Sequence, residues 1–373
     1  MKILHINSYF NGSIFYKNLF DKQVENGLEI DVYVPISNKL SGDKKDFGVY
    51  TRVSKNYKEY ERYLFYLKHN KIFKNLNKTY LINKFDVVHS HSLFSNGFIA
   101  YKIKQQYKIP YIVAVRNTDV NLFFKKMFFL RNLGIKILKE AEGIIFLSES
   151  YKETVLEKYV PKEVKESLER KTFVIPNGIN DFWFQYKVRS KKMDNNKRVK
   201  LLYVGAINKN KNIISTIKAV EILREKGIDV EYTVVGQVED EEIYKAIKRS
   251  SYIKYISPKP KEELINIYRK NDIFVMPSIT ETFGLVYAEA MSQGLPLIYS
   301  KGQGFDKQFQ EGVVGFSVDS TNEIQISEVI LKILQNYNSI SKNCIEKVTK
   351  FNWNHIEKVY LEKYKYVLCK KNR

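Results

Sequence analysis

Short apolar runs of strand length alternate with longer segments of helical period along this whole chain. That alternation is the signature of βαβ units, in which each strand returns parallel to the last through a covering helix. In the first half the runs fall at 2–7, 29–35, 85–90, 110–115, 143–148 and 172–178. The second half repeats the rhythm at 200–205, 230–236, 252–257, 272–278, 295–300 and 314–318. Between the two series lies VRSKKMDNNKRVK (188–200), charged and almost free of apolar residues, which reads as a linker. The expected architecture is α/β, with Rossmann-like parallel-sheet domains over 1–187 and 200–373 joined by 188–199. A helical region from about 322 closes the chain, and its last helix is a candidate to pack back on the first domain. Two such domains are expected to face each other across a cleft. Ligands of open parallel sheets sit outside the carboxyl ends of strands, so functional motifs are sought just after strands.

Composition narrows the chemistry. With 373 residues and 44% hydrophobic content the chain can bury two cores. Its 62 Lys and Arg against 41 Asp and Glu give a net charge of +21, a field that favours anionic partners. Cys344 and Cys369 have neither metal-ligand spacing nor the look of a disulfide framework, which points to a reducing, cytoplasmic setting. The opening MKILHINSYF lacks the apolar core of a signal peptide, and no apolar run has membrane-spanning length. Any membrane contact is expected to be peripheral.

The segment PSITETFGLVYAEAMSQGLPLIYS (277–300) carries two carboxylates, Glu281 and Glu289, after a strand-like run. Glu281 falls in the strand-to-helix turn and Glu289 on the helix, which Gly294 and Pro296 terminate. Over eight helical residues the side chains separate by about 12 Å, too far to share a proton but suited to gripping two parts of one ligand. Between them the helix start at Phe283, Gly284 and Leu285 offers unpaired N–H groups and a partial positive charge, a seat for phosphate. Carboxylate, phosphate seat, carboxylate is an order that holds a sugar, a diphosphate and a ribose. The plain alternatives are a first-turn capping acid for Glu281 and a solvated helix face for Glu289.

With its flanking PS…E.FGL…EA…G.P pattern, this segment resembles the Glu-x7-Glu signature of the retaining family 4 glycosyltransferases, of the "glycosyl transferases group 1" type. The resemblance implies a GT-B fold, Glu281 on the donor sugar's hydroxyls and Glu289 on the nucleotide's ribose. YVGAINKNKNI (203–213) is similar to the family's second phosphate element, with Gly205 in place and Lys211 at the lysine position; both Lys211 and Glu281 are then candidate catalytic residues. Ala206 stands where the family has a basic residue, and Lys209 is the candidate substitute, against a solvated turn. IPNGI (175–179) matches the segment that closes the family's first domain, with Pro176, Asn177 and Gly178 read as a structural turn. SYFNGSIF (8–15) stands where a glycine-rich loop is usual, and only Gly12 remains of it, a candidate loop residue of the acceptor side.

VVHSHS (87–92) and VAVRNTD (113–119) end consecutive strands, which brings His89, His91, Arg116 and Asp119 toward the expected cleft. Arg116 falls where the family often has a histidine beside the transferred sugar. Arg116 and Asp119 are candidate catalytic residues, against a structural ion pair, and His91 is a candidate acceptor-side residue, against packing. Two histidines one residue apart do not make a metal site, and no Asp-x-Asp motif is present, so no metal and no cofactor is expected. Lysines and helix N-termini are expected to carry the diphosphate.

Residues 52–84 hold nine Lys and Arg interleaved with seven aromatics, and 122–139 hold five basic residues and no acid. Basic segments bearing Phe and Tyr favour anionic membrane interfaces, against a solvated helix face. No nucleic-acid module is recognisable, so nucleic acid is not an expected partner. The expected function is a metal-independent, retaining glycosyltransferase of hexosyltransferase type, using a UDP- or GDP-type nucleotide-sugar co-substrate and a glycan or lipid-linked acceptor. Its setting is expected to be bacterial surface polysaccharide, capsule or glycolipid synthesis at the inner face of the cell membrane. The rivals are a nucleotide-sugar epimerase or phosphorylase on the same architecture, and a non-catalytic basic protein that binds membrane or nucleic acid on a degenerate transferase fold.

Overall fold

The computed structural model describes residues 1–12, 14–39, 47–193 and 198–371. The chain forms two compact units. The first comprises Met1–Leu147, Tyr151–Pro176 and Trp353–Arg373, and the second Ser148–Ser150 with Asn177–Asn352.

The first unit is built on strands β1 (Lys2–Ile6), β2 (Glu29–Ser37), β3 (Thr51–Tyr57), β4 (Val87–Ser90), β5 (Tyr111–Ala114), β6 (Gly143–Phe146) and β7 (Thr172–Val174). They make a parallel sheet in the order β3-β2-β1-β4-β5-β6-β7. Successive residues of a strand serve opposite faces. Ile3, Val32, Ile112 and Ile145 pack under helix Lys17–Glu25 and the last helix, Trp353–Lys371, while Leu4, Tyr33, Val113 and Ile144 pack under helices Phe65–Thr79, Ser95–Tyr107 and Arg131–Glu140. β3 was not expected. Its sequence TRVSKNY carries two cations and no continuous apolar face, and as an edge strand it is only partly buried, so its hydrophobic period is weak.

The second unit contains β8 (Val199–Val204), β9 (Val230–Val235), β10 (Ile253–Ile256), β11 (Ile273–Met276), β12 (Leu297–Ser300) and β13 (Gly315–Val318), parallel and in the order β10-β9-β8-β11-β12-β13. In both sheets the strand order reverses once, at β1/β4 and at β8/β11. Loops leaving the carboxyl ends of those pairs diverge to opposite faces and open a crevice.

The division between the units falls at 176/177 and 352/353, not at the 188–199 segment. Trp183 is buried against the Tyr268 ring, and the Val188 N–H donates to the Ser292 carbonyl. The Lys191 ammonium reaches the carbonyls of Tyr268, Arg269 and Asn271, and burial lowers its pKa to about 8. Carbonyl acceptors hold this charged stretch to the second unit, which a charge count alone cannot foresee; its residues 194–197 lie outside the described ones. Among the described residues no helix is long and apolar enough to cross a membrane.

The last helix closes the core of the first unit through Trp353, 2% exposed and packed on Phe15 at 5.2 Å, with Ile356, Tyr360 and Tyr364 behind it. Trp353→Ala should cost about 3–5 kcal/mol of stability in urea unfolding. A loss below about 1 kcal/mol would show that this helix does not hold the sheet.

Candidate functional site

The turns that leave β8 and β11 meet at the reversal point of the second sheet. Asn210 accepts from the Thr280 N–H at 3.1 Å and donates to the Thr280 carbonyl at 2.8 Å, and its own carbonyl accepts from Ile279. Asn208 caps the short turn Lys209–Lys211 by accepting from the Lys211 N–H. Asn212, at φ 52°, reverses the chain into helix Ile213–Glu225 and donates to the Pro277 and Ser320 carbonyls. Lys211 is thereby delivered to Glu281, with Nζ 2.5 Å from Oε2.

Glu281 is gripped on every side. Its second oxygen accepts from the Thr282 N–H, its own N–H donates to Gln303 Oε1, and its carbonyl accepts from the Gly304 N–H. A Cβ at Gly304 would lie 1.8 Å from the Thr282 carbonyl oxygen, so only glycine permits this approach. Gln303 and Gly304 were missed in the sequence; the signal was present as KGQG directly after β12.

A pocket of about 350 Å³ opens here, lined among others by Gly205, Ala206, Lys211, Glu281 and Gly284. Gly284, at φ 72°, turns the chain into helix Leu285–Ser292, whose first residues also line the pocket and whose N-terminus carries no side-chain cap. Its N–H groups supply partial positive charge. Phe283 contributes to the lining, but its ring is buried on Phe305 and Phe351, so its side chain serves the core. Asn177, read from sequence as mainly structural, lines the pocket as well. Lys209 does not: its side chain is 86% exposed, with Nζ 4.0 Å from Asp240, and it does not fill the place of the cation absent at Ala206. Among the described lining residues Lys211 is the only cation.

Glu289 lies one helical turn beyond Val286, which lines the pocket. Its carboxylate accepts from the Tyr268 hydroxyl at 3.2 Å, and burial pushes the group up to about 7 against the hydrogen bonds of Tyr268 and Trp183. It is the second carboxylate of the pair but not a member of the pocket wall.

In the first unit, the expected residues gather at the carboxyl ends of β1, β4 and β5. Asp119 is fully buried and accepts from the backbone N–H groups of Leu93, Phe94 and Arg116 at 2.9–3.0 Å. That accounts for its carboxylate as a brace for the turn into helix Ser95–Tyr107. Burial raises it to about 6. Arg116 is 8% exposed, with Nε donating to the His91 carbonyl at 3.3 Å. Gly12 ends a short 3-10 turn from Phe10.

His89 and His91 are joined by His5 of the neighbouring strand, which the sequence reading did not single out. His5 Nδ1 lies 3.0 Å from His91 Nε2, and His89 Nδ1 2.7 Å from the Tyr364 hydroxyl. One nitrogen of each ring comes within 4.8 Å of the others, the only such group among the described residues. Burial pushes His5 down to about 3 and the other two well below the usual imidazole range, with Arg116 adding to the effect on both. Neutral imidazoles are chemically able to ligate a metal, but a nearby guanidinium opposes a second cation.

A model described as "Glycosyl transferases group 1" matches residues 185–351, and one described as "Glycosyltransferase Family 4" matches 13–181. An uncharacterized glycosyltransferase of Methanocaldococcus jannaschii is 26% identical over 343 residues, covering 85% of this chain and 90% of that protein. The capsular polysaccharide biosynthesis glycosyltransferase CapM of Staphylococcus aureus is 30% identical over 246 residues, 59% of this chain and 61% of CapM. Among solved structures, Anabaena HepE in complex with UDP-glucose superposes with a TM-score of 0.69 at 14% identity, covering 98% of this chain and 100% of that one. The fold is the two-domain GT-B fold.

The raised Glu289 sets a pH test. A carboxyl that holds its proton more tightly when folded stabilises the protein below its unfolded pKa, and that contribution is lost as pH rises toward 7. Glu289→Gln mimics the protonated form. Relative to the variant, the wild-type Tm is therefore expected to fall steadily between pH 4.5 and 7 and level off above; a constant difference across that window would contradict the burial of this carboxyl.

Proposed function

Since the chain belongs to the family 4, group 1 glycosyltransferases, we propose that it moves a hexose from a nucleoside-diphosphate sugar to a hydroxyl of a glycan or lipid-linked acceptor, with retention of anomeric configuration. The observation that carries this reading is the convergence of Lys211, Glu281 and the uncapped start of helix Leu285–Ser292 on one pocket. Lys211 and the helix N–H groups take the charge of the departing diphosphate, without a metal clamp. Glu281, held rigidly by Thr282, Gln303 and Gly304, orients the sugar's hydroxyls. Glu289 accepts from the ribose hydroxyls in its ionised form. The 2.5 Å contact between Lys211 and Glu281 keeps the cation's charge partly compensated until phosphate takes its place. HepE, similar in fold, is a complex with UDP-glucose, and CapM acts in capsular polysaccharide biosynthesis. The first supports a UDP-type donor, and the second a role in surface polysaccharide synthesis.

A thermal-shift series with UDP, GDP, ADP and their sugar conjugates tests the donor reading. One series at a hundred times its Kd should add about 2.7 kcal/mol of stability. Lys211→Ala should weaken that nucleotide by about 1.5–3 kcal/mol, roughly ten- to a hundredfold in Kd. No response to any nucleotide from folded protein would favour the non-catalytic rival.

The peripheral membrane role gains support from packing. Phe65, at the start of helix Phe65–Thr79, meets Phe123, itself stacked on Phe94 at 4.6 Å, which joins the two basic aromatic segments into one surface. Within these segments Tyr63, Phe128 and Phe129 stand 83%, 71% and 66% exposed, close in sequence to the exposed Arg62, Lys125 and Lys126. Rings at the edge of a cationic patch suit the interface of an anionic bilayer. Sedimentation with vesicles should show binding to anionic but not neutral lipid, reduced severalfold in the double variant Phe128→Ser, Phe129→Ser. Equal absence of binding to both vesicles would remove this role.

A further inference from the structure

Arg116 places a full positive charge almost out of water at the carboxyl end of β5, beside the reversal point of the first sheet. A charge in such a place is ordinarily met by a carboxylate in direct contact. Here the contacts are the His91 carbonyl at 3.3 Å, the Tyr16 ring at 5.9 Å and the Tyr360 hydroxyl. The neighbouring imidazoles of His89 and His91 are neutral and add no compensation. Asp119 is near, but both its oxygens are taken by three backbone N–H groups, one of them that of Arg116 itself. Among the described residues no carboxylate is in ion-pair contact with this guanidinium. The phenols of Tyr9, Tyr16 and Tyr360 lie around it, so the guanidinium is met by phenol and carbonyl groups, while its planar N–H donors suit an anion.

We infer that Arg116 and the tyrosines around it form an oxyanion-binding site, which receives a phosphate or carboxylate group of a substrate at the carboxyl ends of β4 and β5. A guanidinium binds either anion in bidentate fashion, and the low-dielectric surroundings strengthen the bond relative to water. Resting on the transferase reading, a corollary follows: the acceptor is an anionic molecule. The site itself stands without that reading.

The test is a thermal-shift titration of the full chain with glycerol 3-phosphate, lactate and glycerol, at ionic strength held constant with chloride. It compares wild type, Arg116→Gln, Arg116→Lys and Lys211→Ala, the last to exclude anion binding at the pocket of the second unit. Glycerol 3-phosphate or lactate is expected to stabilise wild type and Lys211→Ala, glycerol is not, and Arg116→Gln should lose at least tenfold in apparent affinity, with Arg116→Lys intermediate. The responding anion tells phosphate from carboxylate. An anion response unchanged in Arg116→Gln, or none in wild type, overturns the proposal. UDP added to the same proteins keeps the two readings apart: a UDP response that survives in Arg116→Gln and fails in Lys211→Ala supports the donor pocket whatever the anions do.

Discussion

Asn210 ties two turns into one piece, and the chemistry of the second unit depends on that tie. Its side-chain amide satisfies both the N–H and the carbonyl of Thr280, while its carbonyl takes the N–H of Ile279. Each such bond contributes only about 0.5–1.5 kcal/mol, yet together they fix the register between loops seventy residues apart. The Asn212 side chain, donating to the Pro277 carbonyl, adds a further tie between the same two turns. With them, cation and carboxylate are held in contact, and the start of helix Leu285–Ser292 is aimed at the same space. Pre-organisation of this kind means that little ordering remains to be done when a ligand arrives.

The two units use the same topological device in different ways. In the second, the reversal at β8/β11 is lined by glycines at positive φ, Gly205 and Gly284, which bring backbone N–H groups near a ligand. In the first, the reversal at β1/β4 is filled with side chains. Three neutral imidazoles, tyrosines and a buried guanidinium occupy the ends of β1, β4 and β5, and the last helix covers them with Tyr360 and Tyr364. One crevice thus presents chiefly main chain and a helix end, the other side-chain donors.

Much of the second unit's site was legible. Glu281, Gly284 and Lys211 stand directly after strands, where a parallel sheet places its ligands, and the structure brings them to one pocket. Lys209 points away from that pocket: a sequence shows that a residue is in a turn, but not which way the turn points it. Asp119 likewise looked like chemistry and is engaged as a brace for three N–H groups. Gln303, Gly304 and His5 were overlooked because their partners lie far off in sequence.

The sequence by itself determined the alternation of strand and helix, the parallel sheets and the turns that carry carboxylate, lysine and glycine, because those follow from local period and backbone freedom. Only the tertiary structure decided where the units divide and that β3 joins an edge with little hydrophobic signal, and it made the last helix, a candidate from the sequence, part of the first unit. The same holds for Arg116, whose lack of a carboxylate partner among the described residues is a property of its surroundings. Burial and long-range contact are sums over the whole fold, and no window of the chain contains them.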